Sequence, residues 1–275
     1  MNILTKLYTG SPQQAIQDIT SHREKNGYCV IDFLYFANII KNNLLDVTSS
    51  GTRSIGETKP NNSYTAPHYV SSKWQWYYDS ILAADFLLPD GIALQTFYAS
   101  AVVLGRIQST RKWLANCNGT DFTLPLLQSL QKQYPWIVLH MYGSTPTIVD
   151  KARVSLHDNW FICGVVQDGY SQRDRNDIAL FSGEKQVLLV ARWTPLQELW
   201  IQENISFVKD NNILVLSVWW LFDFWSGEEK RTPKIFRGRA EWLWRLFVNP
   251  RKNAIKVRYS LYLPYAIIRY LLLKR

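Results

Sequence analysis

Apolar positions along the chain alternate between solid runs and segments with helical spacing. Short runs rich in β-branched and aromatic residues read as strands buried on both faces, and apolar residues three and four apart read as amphipathic helices. Strands are therefore predicted at Tyr28–Phe36, Asp85–Leu88, Trp136–Met141, Trp160–Val166, Gln186–Ala191 and Ile213–Val218. Helices are predicted over Gln13–Glu24, opened by Ser11-Pro12, and over Trp74–Ala84, Ile92–Leu104 and Phe122–Gln133. Further helices are predicted over Pro146–His157, Arg173–Phe181 and Pro195–Val208. Residues 47–70, rich in Ser, Thr, Gly and Pro, read as a long loop of the lid type. Strand and helix alternate most clearly in the second half. The expected fold class is α/β, a Rossmann-like layered domain with a largely parallel sheet.

Composition adds a boundary. The 275 residues, 47% of them apolar, can bury a proper core in one large domain or in a domain with an appendage. From Glu228 to Arg275 there are 13 Lys and Arg against 3 acids, whereas residues 1–227 hold 18 basic and 19 acidic side chains. A near-neutral body, 1–227, is thus expected to carry a basic helical C-terminal appendage, 228–275. That appendage also holds Trp242, Trp244, Phe247, Tyr259, Tyr262, Tyr265, Tyr270 and the run Leu271-Leu272-Leu273. Cations interleaved with such rings suit an anionic membrane surface. A helix packed on the body with its charges in water is the plainer reading. Nucleic acid rests on the basic tail alone and is not among the expected partners. A homo-oligomer would shield the tail away from lipid.

No run of about 20 uncharged apolar residues occurs, so no spanning helix is predicted. The start, MNILTKLYTGSPQQ, lacks the basic-then-apolar pattern of a secretory signal, and the chain is expected in the cytoplasm, peripheral at the membrane. Cys29, Cys117 and Cys163 are too widely spaced for a disulfide framework or metal knuckle and read as buried free thiols. The four histidines form no ligand pattern. No metal and no cofactor is expected.

In parallel α/β sheets ligands sit beyond the C-terminal strand ends, which directs attention to the residues just after each strand. LLPDGIALQ (87–95) puts Asp90 at a strand end, where a carboxylate can serve as general base; Asp-Gly is also a common turn. NGTDF (118–122) opens a helix with Thr120 or Asp121 as cap, and equally presents backbone N–H groups to an anion. YGSTP (142–146) brings Gly143 and Ser144 to a helix start able to hold phosphate, without the spacing of a nucleotide-triphosphate loop. Gln167 ends the next strand, in QDGY. TPLQELW (194–200) sets Gln197 and Glu198 in a first helical turn, within reach of a base or ribose, although acids favour that position anyway.

Taken in order, DG near 90, NGTDF near 120, GSTP near 145, QDGY near 168, TPLQELWIQEN near 195, FDFWSGEEKRTPK near 223 and EWLWRLFVNPRK near 242 resemble the WecG/TagA/CpsF family, glycosyltransferase family 26. The resemblance spans roughly residues 28–258 and is most specific in the C-terminal block. It implies an inverting, metal-independent transferase. The implied donor is a UDP-sugar, typically of N-acetylmannosamine or its uronic acid. The implied acceptor is a polyprenyl-diphosphate-linked sugar, and the products feed teichoic acid, capsule or exopolysaccharide synthesis. The resemblance places the general base on Asp90 and nucleotide contact on Gln197. It puts the donor's diphosphate among Arg231, Arg245 and Arg251 of the appendage. Thr120, Asp121, Gly143, Gln167 and Asp223 complete the substrate-binding set.

Four places depart from the family pattern. Asp32 stands where an asparagine usually ends the first strand, which brings a second acid near the donor. Asn116-Cys117-Asn118 replaces a segment that often carries an arginine. Arg192-Trp193-Thr194 replaces a glycine-rich turn, and Trp219-Trp220 replaces small glycines. Indoles there reshape the pocket or block it. The second functional reading is accordingly a catalytically inactive relative that acts as a membrane-bound scaffold for other glycosyltransferases.

Overall fold

The computed structural model describes residues 3–42, 44–45, 70–170, 185–233, 236, 241–248, 250, 258 and 261–273. The predicted loop 47–70, except its last residue, and the predicted helix Arg173–Phe181 lie outside them, as does Arg251. In chain order the elements are α1 (Ile3–Lys6), α2 (Pro12–Asn26), β1 (Cys29–Tyr35), α3 (Phe36–Lys41), α4 (Val70–Ala83), β2 (Phe86–Asp90), α5 (Ile92–Val103) and α6 (Gly119–Gln133). Next come β3 (Val138–Gly143), α7 (Pro146–Asp158), β4 (Ile162–Gln167), β5 (Gln186–Ala191), α8 (Leu196–Glu203), α9 (Ile205–Asp210), β6 (Ile213–Ser217), α10 (Leu221–Trp225) and α11 (Glu241–Val248). A last helix, Leu263–Ala266, runs into a wider π-helical segment, Ile267–Leu273.

Six strands form one sheet in the order β2-β1-β6-β5-β3-β4, every neighbouring pair parallel. This is a Rossmann-like α/β fold. Strands β5 and β6 are buried along their whole length, which is why they stand out as solid apolar runs. Cys29, Ile31, Leu139, Leu189 and Leu216 face a core shared with α2, α6, α7 and α10. Val30, Leu188, Val190 and Val215 face the opposite way, onto Ile201 of α8 and Val208 of α9. A third cluster joins α3, α4 and α5 to Ala266 and Leu271 of the C-terminal helix.

The predicted Pro195–Val208 helix is two helices. Asn204 interrupts it, its side-chain amide donating to Trp200 O at 2.6 Å, a local bond that competes with helix continuation. The cap of α6 is Asn118, whose side chain accepts from the Thr120 N–H at 3.0 Å, rather than Thr120 or Asp121. Phe36 belongs to α3, and β2 extends to Asp90 itself. Among the described residues no helix is long and apolar enough to cross a membrane.

Strand order locates the crevice. The chain leaves β3 for β4 at the sheet edge and leaves β5 for β6 toward the centre. Helices on steps of opposite direction cover opposite faces, so the segments that follow β3 and β5 diverge beyond the strand ends and leave an opening there.

Candidate active site

A pocket of about 220 Å³ lies at that opening, lined by Ser144, Thr145 and Ile148 on one side and by Trp193, Trp219, Trp220 and Asp223 on the other. Its floor depends on Gly143. There φ is 122°, and a Cβ would come within 2.2 Å of Ala191 O, so only glycine lets β3 and β5 close this tightly. Ser144 N–H then bonds Ala191 O at 2.9 Å, and Gly169 N–H bonds Ser144 O at 2.9 Å. Thr145 caps α7, its hydroxyl accepting from the Ile148 N–H. The three indoles pack on one another with centroids 5.0–5.9 Å apart, and Trp219 meets Tyr35 at 5.7 Å. Gln167 ends β4 beside this pocket but is not among its lining residues.

A second constellation stands at the β2 end of the same rim. Asp90 closes β2 opposite Tyr35 of β1 and is 4% exposed. Gly91 comes next at φ 90°, and its N–H is held by Asn116 Oδ1 at 3.0 Å. The N-terminus of α6 clamps the carboxylate: Gly119 N–H donates to Oδ2 at 3.1 Å and the Asn118 amide to Oδ1 at 3.2 Å. Thr120 and Asp121 lie in the same first turn. The guanidinium of Arg231 pairs with Asp121 and covers the Phe224 ring at 5.2 Å, while its Nη1 is buried without a hydrogen-bond partner among the described residues. The first appendage residues are therefore tied to the body, and Lys151 binds Glu228 at 2.7 Å nearby. Arg245 lies on α11; its side chain, like all of Arg251, is outside the described residues.

Gln197 is 3% exposed, and both the nitrogen and the oxygen of its amide are engaged by the protein. Its Nε2 donates to Glu198 Oε1 at 3.0 Å, and its Oε1 accepts the Trp219 N–H at 3.2 Å. It thereby positions the indole wall. Asp32 and Glu198 are both buried behind that wall, at 4% and 3% exposure. Burial pushes Asp32 up to about 7, with partial relief from the Phe33 N–H 2.8 Å from Oδ1. Burial and the charge of Asp32 push Glu198 up to about 8, against bonds from Gln197 and Thr194. At neutral pH the pair retains at least part of a proton. The electrostatic coupling of Asp32 and Glu198 was not foreseeable from either motif, since the two residues lie 166 positions apart.

Sequence patterning placed Asp90 and Gly143 at strand ends, and both are found there; Asp223 lies instead on α10, beyond the end of β6, where it lines the pocket. The amides of Asn116 and Asn118, which fix the Asp90 turn, were visible only as a departure from a family pattern. Cys117, beside Asp90, is buried, and burial together with the Asp90 charge pushes its thiol up to about 12. No thiolate nucleophile is available there. All three cysteines are free, Cys29 and Cys117 buried and Cys163 only half-buried. Among the described residues, His22, Cys29 and Asp85 bring possible metal-ligating atoms within 4.8 Å of one another. They lie at the N-terminal ends of β1 and β2, on the opposite rim from the pocket. There Asp85 Oδ2 already accepts the Val30 N–H at 2.8 Å and His22 Nε2 lies 3.1 Å from the Asn26 amide.

A carboxylate and an aromatic pocket thus share the C-terminal rim of a parallel sheet, with a chain of rings between them. The model of the Glycosyl transferase WecG/TagA/CpsF family matches residues 47–275. The chain belongs to this family. It is a glycosyltransferase, and its partners are accordingly a sugar donor and a sugar acceptor. Within the transferase, Asp90 with its α6 clamp and the pocket at the β3/β5 opening are the two halves of the candidate active site.

Proposed function

We propose that the protein transfers a sugar, an N-acetylhexosamine such as N-acetylmannosamine, from a UDP-sugar to a polyprenyl-diphosphate-linked sugar, with inversion and without a metal ion. It does so peripherally at the inner face of the cell membrane, in the synthesis of a capsule, exopolysaccharide or teichoic acid. The observation that carries this reading is the clamped carboxylate of Asp90 on the same rim as the aromatic pocket. Strands lie about 4.8 Å apart, so the three spacings from β5 to β2 amount to about 14 Å. That is the reach of an extended sugar nucleotide. Its base lies against the indole wall, its diphosphate crosses the strand ends, and its sugar comes to Asp90.

In the transfer the acceptor hydroxyl attacks the anomeric carbon from the face opposite the diphosphate. Asp90 takes the hydroxyl proton as the new C–O bond forms. The bond from the anomeric carbon to the phosphate oxygen breaks, and its electron pair leaves with UDP. The departing charge needs cations, and arginine offers a two-pronged donor for phosphate oxygens. Arg231 supports this role with a buried Nη1 that has no hydrogen-bond partner among the described residues, beside the α6 N-terminus. Arg245 and Arg251 are the further candidates in the appendage.

The inactive-scaffold reading has one observation in its favour: the pocket of about 220 Å³ is smaller than the roughly 300 Å³ at which ordinary small-molecule pockets begin. UDP decides between them. The transferase gains thermal stability with UDP and turns over a UDP-sugar with a short-chain polyprenyl-diphosphate sugar, read by mass spectrometry. Absence of both responses across a panel of UDP-sugars sinks the transferase reading in favour of the scaffold.

A further inference from the structure

The C-terminal helix does not hang free of the body. Ala266 and Leu271 are buried in the cluster that also receives Ile107 and Leu114, from the segment between α5 and α6. Arg106 Nε donates to Leu271 O at 2.7 Å. Around these anchors the side chains divide. Val103 and Trp113 project into solvent at 73% and 50% exposure, and Arg106, Arg111 and Lys112 are exposed beside them. Tyr265, Ile268 and Leu273 of the C-terminal helix, and Leu261 just before it, also project outward. The sequence holds no Asp or Glu between Gly91 and Thr120, and none after Glu241.

We propose that the body segment 103–113 is a second lipid-contacting element, which joins the C-terminal helix in one docking face for an anionic bilayer. An apolar surface whose two segments, 103–113 and 261–273, carry cations and no acids is matched by acyl chains beneath anionic headgroups, where an indole such as Trp113 also settles. A second copy of this face would set cations against cations. Nucleic acid would leave the exposed Val, Leu and Ile side chains without a partner. The consequence for catalysis rests on the assigned role of Asp90. Segment 103–113 runs straight into Leu114, which accepts from the Gln95 amide at 2.8 Å, and then into Asn116, Asn118 and Gly119 around Asp90. A lipid-borne acceptor would thus meet the protein on the segment that positions the base.

The test is partition of the full-length protein onto phosphatidylcholine vesicles with and without phosphatidylglycerol. Arg111→Glu combined with Lys112→Glu should weaken partition onto the anionic vesicles at least about tenfold with the tail intact, each juxtamembrane cation counting for about 1 kcal/mol. Trp113→Ala should weaken partition onto both vesicle types. These side chains are exposed, so an unchanged melting temperature verifies the fold. Unaltered partition of both variants overturns the proposal. A change of oligomeric state in sedimentation, with vesicle partition unchanged, assigns the face to a second copy and also overturns it. UDP binding measured on the same samples keeps the two readings apart: its absence in the wild type would sink UDP-dependent transfer and leave the lipid face standing.

Discussion

The two halves of the rim are built by different means. At the β2 end, Asp90 is fixed by directional bonds from small groups, the Gly119 N–H and the Asn118 amide, on a turn that Gly91 and Asn116 secure. At the β3/β5 opening, shape dominates: three indoles face a backbone brought close by Gly143. The first construction suits proton transfer, which tolerates little error in distance. The second suits binding, where stacking rewards area and tolerates small displacement. The expectations drawn from the family resemblance divide in the same way: beside Asp90 neutral amides stand where the resemblance implies a cation, and in the pocket indoles stand where it implies glycine.

The sharpest way to break this contrast is Asp90→Asn. The substitution keeps the shape and lets the new amide oxygen retain the Gly119 bond. Asn118 loses one acceptor, at about 1 kcal/mol. Turnover should fall about 100- to 10,000-fold while UDP affinity and the melting temperature stay close to wild type. Full turnover in this variant removes Asp90 from the role of base.

Gly143→Ala attacks the other half through its backbone. The added methyl would meet Ala191 O, and φ is one that L-residues rarely adopt. A loss of about 2–3 kcal/mol is expected, which for a chain of this size lowers the melting temperature by roughly 5–10 °C. UDP affinity should fall as well, because the pocket floor is what moves. A variant as stable as wild type would show that β3 and β5 have room to spare.

Trp220→Ala tests what the indole wall does. If the wall stacks a base, its loss should weaken UDP about tenfold, within the roughly 1–3 kcal/mol that one base–aromatic stack contributes. Turnover at saturating donor should change little, because Asp90 is untouched. Tighter UDP binding in the variant would mean instead that the indoles obstruct the pocket.

Much of the fold was legible because its strands are long apolar runs covered on both faces, as in QVLLVA and ILVLS. The strand order was not, since alternation of helix and strand is common to many orders and only packing distinguishes them. The N-terminus of α6 shows the same limit on a smaller scale. Asn118, Thr120 and Asp121 are all good caps, and the choice of Asn118 is made by Asp90, which takes the other end of its amide. The basic charge of residues 228–275 is plain in the sequence, and one of those cations, Arg231, pairs with Asp121 of α6. Burial of Ala266 and Leu271 against α5 was not legible, because a basic, aromatic segment reads as surface until its partner is known.

Behind both halves, the pair Asp32 and Glu198 offers a finer test. Ordinary values of 3.8 and 4.5 rise to about 7 and about 8 in the folded protein, chiefly through burial. Between those limits the native state binds more protons than the unfolded chain, so the pair's contribution to stability is greatest in acid and is lost as pH rises through about 7 and 8. Asp32→Asn removes one of the two charges and relieves Glu198 of a like-charged neighbour. The melting temperature should then rise by roughly 2–4 °C at alkaline pH, the equivalent of about 1 kcal/mol, and change little at about pH 4, where the carboxyls are protonated in the folded protein and the unfolded chain still keeps part of its protons. The base and its clamp do not touch this pair, so any loss of turnover should remain small beside that of Asp90→Asn. An equal shift at both pH values would mean that the effect comes from packing under the indole wall rather than from charge, and that the proton held by these carboxyls has no bearing on how the rim is supported.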